Sequence, residues 1–193
     1  MKYLLFGIIG IASLLILVCI YVCRSTSVSK TYEISENGVS TKIQLKKKTK
    51  ENYELFATSY VKGNMIQTST WTFAYEVFRL DTGDINNDHA TDILVGVIKK
   101  TRFDSICRKR IFIFKLVEGY IRPLWLGSRV SQPLEDFRVY NNKPCNIIRT
   151  MELERDNTFL IAEYHWQGFG LAFIRYLARE LSYKKAAHIL NTN

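Results

Sequence analysis

The strongest constraint on this chain is the stretch Asp84-Ile85-Asn86-Asn87-Asp88-His89-Ala90-Thr91-Asp92, followed at once by the apolar run Ile93-Leu94-Val95-Gly96-Val97. Oxygen-bearing side chains fall at its first, third, fifth and ninth positions. A short loop with oxygens at that spacing can wrap a hard cation, and Ca²⁺, with a flexible coordination number of about 6–8, suits it best. In this reading Asp84, Asn86 and Asp88 each offer a side-chain oxygen, Ala90 offers its carbonyl, and Asp92 closes the set. Three carboxylates so close together repel one another, and a divalent ion relieves that repulsion. The alternative is an ion-free turn, because Asp and Asn side chains also cap turn N–H groups without metal. Asp81 lies just upstream as a candidate outer-shell group, and Gly83 is expected to give the backbone freedom to turn.

The surrounding pattern is one of strands and turns. Thr41–Leu45 alternates as a half-exposed strand does, and Tyr53–Val61 is rich in β-forming residues. Lys62-Gly63-Asn64 supplies a turn, Met65–Phe73 a return strand, and Ala74–Leu80 leads into the acidic loop. Beyond Lys100 a polar segment runs to Arg110. Ile111–Val117 and Tyr120–Gly127 then flank Glu118-Gly119 as a hairpin, with Pro123 marking an edge strand or a bulge. Further strands are expected at Asp136–Val139, Ile147–Glu154, Thr158–Trp166 and Leu171–Leu177, with turns at Tyr140–Pro144, Asp156-Asn157 and Gln167-Gly168. The tail Ala178–Leu190 reads as helix or strand. Phe78-Arg79-Leu80 and Phe137-Arg138-Val139 recur at a spacing of about 60 residues, longer than the ~40–50 of a minimal propeller blade.

Composition excludes a disordered chain: 47% of the 193 residues are hydrophobic and 23% are charged. The apolar content is uneven. No charged residue occurs from Tyr3 to Val22, a run long enough to cross a bilayer as a helix of about 20 residues. It is longer than a signal-peptide core, and neither Cys19 nor Cys23 follows the small residues of a lipoprotein site. The expected organisation is therefore a membrane anchor or uncleaved signal at 1–24, read as a transmembrane helix with a cleaved signal peptide or lipoprotein signal as the alternatives, a serine-rich linker at 25–30 and an all-β domain at 31–193. The domain is expected to lie outside the cytoplasm, attached to the membrane through that helix. The net charge is +9 and dispersed except at Lys46-Lys47-Lys48-Thr49-Lys50. That run reads as a solvated hairpin tip, or as a contact with anionic lipid or polysaccharide near the anchor. A membrane-tethered domain makes nucleic acid an unsuitable partner. Cys107 and Cys145 read as buried thiols or as a disulfide in an oxidising compartment.

The segments Gly83–Asp88 and Asp92–Gly96 resemble the calcium loop and following strand of an FG-GAP or VCBS-type repeat. Such repeats form blades of β-propellers. The resemblance implies propeller-like antiparallel sheets, as a partial or small propeller, with Asp84, Asn86, Asp88, the Ala90 carbonyl and Asp92 as Ca²⁺ ligands. The family has glycine after the third ligand where this chain has His89. Glycine suits the positive φ required there, and histidine adopts it at some cost.

Other chemistry is sparse. Glu163-Tyr164-His165-Trp166 would put Glu163 and His165 on one strand face, either as a cross-strand polar pair or as the acid–base groups of an envelope glycan hydrolase. No nucleotide-binding glycine loop, zinc spacing or nucleophile elbow is present. The aromatic residues, Trp71, Trp125 and Trp166 among them, read mainly as core, with a minority available for stacking on a protein or glycan ligand. The functional expectation is a calcium-stabilised, non-catalytic binding or structural module of the cell envelope, with the hydrolase and an ion-free partner-binding β domain as alternatives.

Overall fold

A computed structural model describes residues 30–102, 104–127, 130–140 and 146–192. These form twelve strands and one helix. The first four strands are β1 (Thr31–Glu36), β2 (Val39–Thr49), β3 (Asn52–Val61) and β4 (Asn64–Phe73). The next four are β5 (Glu76–Gly83), β6 (Asp92–Thr101), β7 (Asp104–Val117) and β8 (Tyr120–Trp125). The last four are β9 (Leu134–Tyr140), β10 (Ile147–Leu153), β11 (Phe159–Trp166) and β12 (Leu171–Leu181), followed by α1 (Tyr183–Asn191). Each set of four is one antiparallel sheet with neighbouring strands in chain order. The all-β expectation holds. The expected membrane helix at 1–24, linker residues 25–29, Cys145 and most of the Tyr140–Pro144 turn lie outside the described residues. Among the described residues no helix is long and apolar enough to cross a membrane.

The second sheet is the middle layer. Its strand β6 is buried from Asp92 to Val97 without a break, because each face meets another sheet. Ile93, Val95 and Val97 pack against Ile43, Leu55 and Phe73 of the first sheet. Leu94, with Ile111 and Ile113, packs against Phe137 and Ile148 of the third. A continuous apolar run is what a strand covered on both faces requires. The outer layers differ. β3 alternates, burying Tyr53, Leu55, Ala57 and Ser59 and leaving Glu54, Phe56, Thr58 and Tyr60 part-exposed, so the far face of the first sheet meets solvent. The far face of the third sheet is covered by α1, whose Ala186 and Leu190 pack on Met151 and Ile161.

Two segments differ from the sequence expectation. Asp104–Arg110, read as a polar connection, is the first half of β7. Its polar character is accommodated because Arg110 is buried against Asp104, with Nη2 donating to Oδ2 at 2.8 Å and Nε donating to the Lys99 carbonyl at 3.2 Å. The tail divides: β12 continues to Leu181, and Tyr183–Asn191 is helical. The recurrence of Phe78-Arg79-Leu80 in Phe137-Arg138-Val139 falls on β5 and β9, the first strands of successive sheets.

The sheets are joined along those first strands. Asp81 on β5 accepts the Tyr32 hydroxyl of β1 at 3.1 Å on Oδ1 and the Val139 N–H of β9 at 3.1 Å on Oδ2. One carboxylate thus touches the first strand of all three sheets. Asp81 is committed to these contacts rather than to the outer shell of the loop. Arg79 closes the same junction with two hydrogen bonds to Asp136. Gly83 serves a different purpose from the one expected. Its φ is not positive; a Cβ there would lie 2.5 Å from Val139 Cγ1, so glycine is needed for the close approach of β5 and β9.

Candidate metal centre

The acidic loop joins β5 to β6 across the last paired residues, Gly83 and Asp92. Its backbone is bent by its own side chains. Asp84 accepts the Asp88 N–H at 3.2 Å and the His89 N–H at 2.9 Å. Asn86 Oδ1 also accepts the Asp88 N–H, at 3.1 Å, and Asp88 Oδ1 accepts the Ala90 N–H at 3.0 Å. The expected positive φ is present at His89, +66°, and at Asn87, +61°. The loop is tied to the first sheet by Thr91, whose N–H donates to Glu36 at 2.7 Å. It is tied to the third by Asn146, whose amide donates to the Asp84 carbonyl at 2.6 Å.

Asp84, Asn86 and Asp88 are thus gathered at the rim, and Asp92 lies beneath them. Asp92 is 0% exposed. Its Oδ2 accepts the Ile85 N–H at 3.0 Å, and its Oδ1 is buried without a hydrogen-bond partner. Burial pushes its carboxyl up to about 7; the Ile85 and Asn86 N–H groups pull it down, and the charges of Asp88 and Asp84 push it up again. A buried carboxylate oxygen without a donor costs about 1–3 kcal/mol or more, unless a proton or a cation meets it.

This donor set is chemically suited to a hard cation: carboxylate and amide oxygens, no sulfur and no imidazole nitrogen. The N–H contacts to Asp84, Asn86 and Asp88 leave further lone pairs on the same oxygens. Among the described residues no three His, Cys, Asp or Glu side chains stand close enough together to hold a metal ion. As placed, every side-chain oxygen of Asp84, Asn86 and Asp88 accepts a hydrogen bond within the loop, the Asn86 amide donating to Asp88 Oδ2 at 2.8 Å.

The other sequence candidates occupy structural positions. Glu163 is buried between two guanidinium groups, Arg149 at 3.1 Å and Arg175 at 2.9 Å. Arg149 also donates to the carbonyls of Ile189 and Thr192 at the end of α1 and stacks on Tyr140, 3.9 Å from its ring centre. Glu163 therefore helps dock the helix. Neither Glu163 nor His165 lines the clefts of about 190, 270 and 390 Å³ found elsewhere. Cys107 is exposed. Trp71, Trp125 and Trp166 are part-buried against the inter-sheet cores. Phe169 is 91% exposed at the β11–β12 turn, and Phe173 and Tyr176, also exposed, lie on β12 with ring centres 4.7 Å apart.

Sequence reasoning missed two buried acids, Asp104 beneath Arg110 and Glu152. Glu152, 0% exposed, accepts the hydroxyls of Thr150 at 2.6 Å and Tyr164 at 2.8 Å on Oε1, and the Gln132 N–H on Oε2. Burial raises its carboxyl, and those three donors pull it back. Strand alternation with Ile148 was the signal that could have found it.

No known protein family, curated protein or solved structure matches the chain.

Proposed function

We propose that this chain is a membrane-anchored, non-catalytic binding or structural module of the cell envelope whose β5–β6 loop is stabilised by Ca²⁺. The observation that carries the reading is the buried, unpartnered Oδ1 of Asp92 beneath Asp84, Asn86 and Asp88. A cation there supplies the missing partner and offsets the repulsion among three carboxylates. The ion's role is to hold the loop rigid where it meets Glu36 of the first sheet and Asn146 of the third.

Three four-stranded meanders stacked face to face support a propeller-like architecture. The solvated far face of the first sheet and the helix on the third favour an open stack of three blades over a closed ring. The exposed aromatics on β12 support a protein or glycan ligand, since such side chains offer large contact area at small entropic cost. The two guanidinium groups around Glu163 support a docking role for that residue over catalysis.

Calorimetric titration of the chelator-treated protein with CaCl₂ tests the reading. Saturable binding that Asp92→Ala and Asp88→Ala abolish is the expected result. A flat titration means the Asx turn holds itself without metal. A glycan substrate panel with Glu163→Gln as control separates off the hydrolase, which would show turnover lost in that variant.

A further inference from the structure

Two hairpins converge at the end of the molecule opposite the acidic loop. The β2–β3 turn, Lys50-Glu51, follows Lys46, Lys47 and Lys48, and the β6–β7 turn follows Lys99 and Lys100. They share one end because Phe73, paired with Tyr53 beside the first turn, is joined through Ala74-Tyr75 to Glu76, paired with Ile98 beside the second. Tyr75 packs against Phe73 and Phe112, and Lys99 Nζ lies 4.6 Å from the Tyr75 ring centre. Lys46, Lys47, Lys48, Lys50 and Lys100 are exposed, and so is Ile106, at 54%, on the adjoining stretch of β7. The acids at this end are Glu51 in the β2–β3 turn, Glu76 at the start of β5, Glu54, which pairs with Lys48 at 3.2 Å, and Asp104, which pairs with Arg110 and Arg108, so the lysines of the first two sheets stay in excess. In the first two sheets the opposite end carries Glu36, Asp84, Asp88 and Glu118 against Lys62, so within those sheets the charge is polarised along the strands.

The chain also reaches the domain from the basic end. Thr31, the first residue of β1, pairs with Gln44, and Lys30 accepts the Leu45 N–H through its carbonyl at 3.3 Å. β1 then runs away from the basic end. From Gln44 the β2 strand extends five residues past the start of β1 to Thr49, about 17 Å at ~3.4 Å per residue. The six residues 25–30 that follow the apolar segment span at most about 20 Å. Geometry thus lets the lysine-rich tips reach the plane from which the anchor emerges.

We infer that this end of the domain, built on Lys46, Lys50 and Lys100, is a docking surface for anionic phospholipid headgroups of the membrane in which the chain is anchored. The inference rests on the anchored reading. The tether raises the effective lipid concentration at the tips, so individually weak contacts orient the domain with its acidic loop facing away. Each lysine near an anionic surface strengthens the contact about fivefold, and the contact fades as salt shortens the Debye length.

The full chain, reconstituted into vesicles of phosphatidylcholine alone or with phosphatidylglycerol, tests this. A donor dye at Lys50→Cys on the basic end or Asn37→Cys on the opposite end, in a background with Cys19 and Cys23 changed to Ala and Cys107 and Cys145 to Ser, reads energy transfer to a headgroup acceptor. The expected result is strong transfer from position 50, little from position 37, dependence on phosphatidylglycerol, and loss of the difference in high salt or in Lys46→Gln/Lys100→Gln. Equal transfer from both ends, or transfer indifferent to phosphatidylglycerol, overturns the inference. So does tight heparin or nucleic-acid binding through the same lysines with no lipid dependence. Alkaline carbonate extraction tests the anchor separately. Chain released by it is mixed with the same vesicles, where phosphatidylglycerol-dependent flotation upholds the surface without the anchor and its absence overturns both.

Discussion

Asp92 in the middle sheet and Glu152 in the third are both buried completely, and burial pushes both carboxyls upward. They differ in their neighbours. Glu152 has two hydroxyls and an N–H directed at it, so both its oxygens are met by neutral donors. Asp92 has a hydrogen bond from the Ile85 N–H on Oδ2, none on Oδ1, and the Asn86 N–H close enough only to favour its charge. A carboxylate with a purely architectural role is enclosed by donors from its own fold. One with an oxygen left over, under a rim of further acids, is the place where the proposed cation would bind. The turns above reinforce the contrast. β1–β2 makes the same connection as β5–β6 with only Asn37 and Gly38, at φ +50° and +78°, between the paired residues Glu36 and Val39. Val39 holds the place that Asp92 holds in the second sheet. An eight-residue loop and a buried acid therefore stand where a two-residue turn and a valine suffice.

The contrast can be broken at several points. The largest effect is expected from calcium itself: at about a hundredfold excess over Kd it raises stability by about 2.7 kcal/mol. Thermal melts with calcium and with chelator should differ by several degrees for the natural chain and coincide for Asp92→Ala. Glu152→Ala should cost about 1–3 kcal/mol, because it strands the donors of Thr150, Tyr164 and Gln132. Denaturant titrations should give that loss equally with and without calcium; a calcium-dependent loss would erase the distinction between the two acids. Replacing residues 84–91 by Asn-Gly together with Asp92→Val transplants the first turn onto the second sheet. The product should fold and ignore calcium, with the relief of about 1–3 kcal/mol from the orphaned oxygen set against the lost burial of Ile85. A transplant that still responds to calcium would place the ion elsewhere.

Smaller effects sharpen the same comparison. His89→Gly should relieve about 1 kcal/mol of left-handed strain and raise calcium affinity in the calorimeter. The smallest effect is a pH dependence. Below its ordinary value of 4.5 Glu152 is protonated in folded and unfolded chains alike and contributes nothing. As pH rises past that value the unfolded chain releases the proton before the folded one does, so stability falls with rising pH until the raised folded pKa is passed. Denaturant titrations in calcium-saturated buffer from pH 4.5 to neutrality should show this fall, and Glu152→Gln should flatten it.

Much of the architecture was legible because strands write their burial into period-two patterns. Tyr53-Leu55-Ala57-Ser59 alternates with a solvated face, and Ile93–Val97 is continuous because it is covered on both sides. The acidic loop was legible because its oxygen-bearing side chains lie within nine residues and its chirality is local: His89 adopts the positive φ that its place in the loop demands. Long-range partners left no such mark. Asp81 was read with the loop it precedes, but its contacts are with Tyr32 and Val139, on strands about 50 residues away in either direction. Arg110 looked too polar for a strand until Asp104 and the Lys99 carbonyl were beside it.

The sequence by itself determined the strands, their turns and the chemistry of the loop, since these depend on residues a few positions apart. The tertiary structure alone decided which acids are buried, which of them is left without a donor, and which two lysine-bearing hairpins share an end with the arriving chain. Those outcomes depend on how three sheets stack, and stacking brings together groups that no local pattern relates.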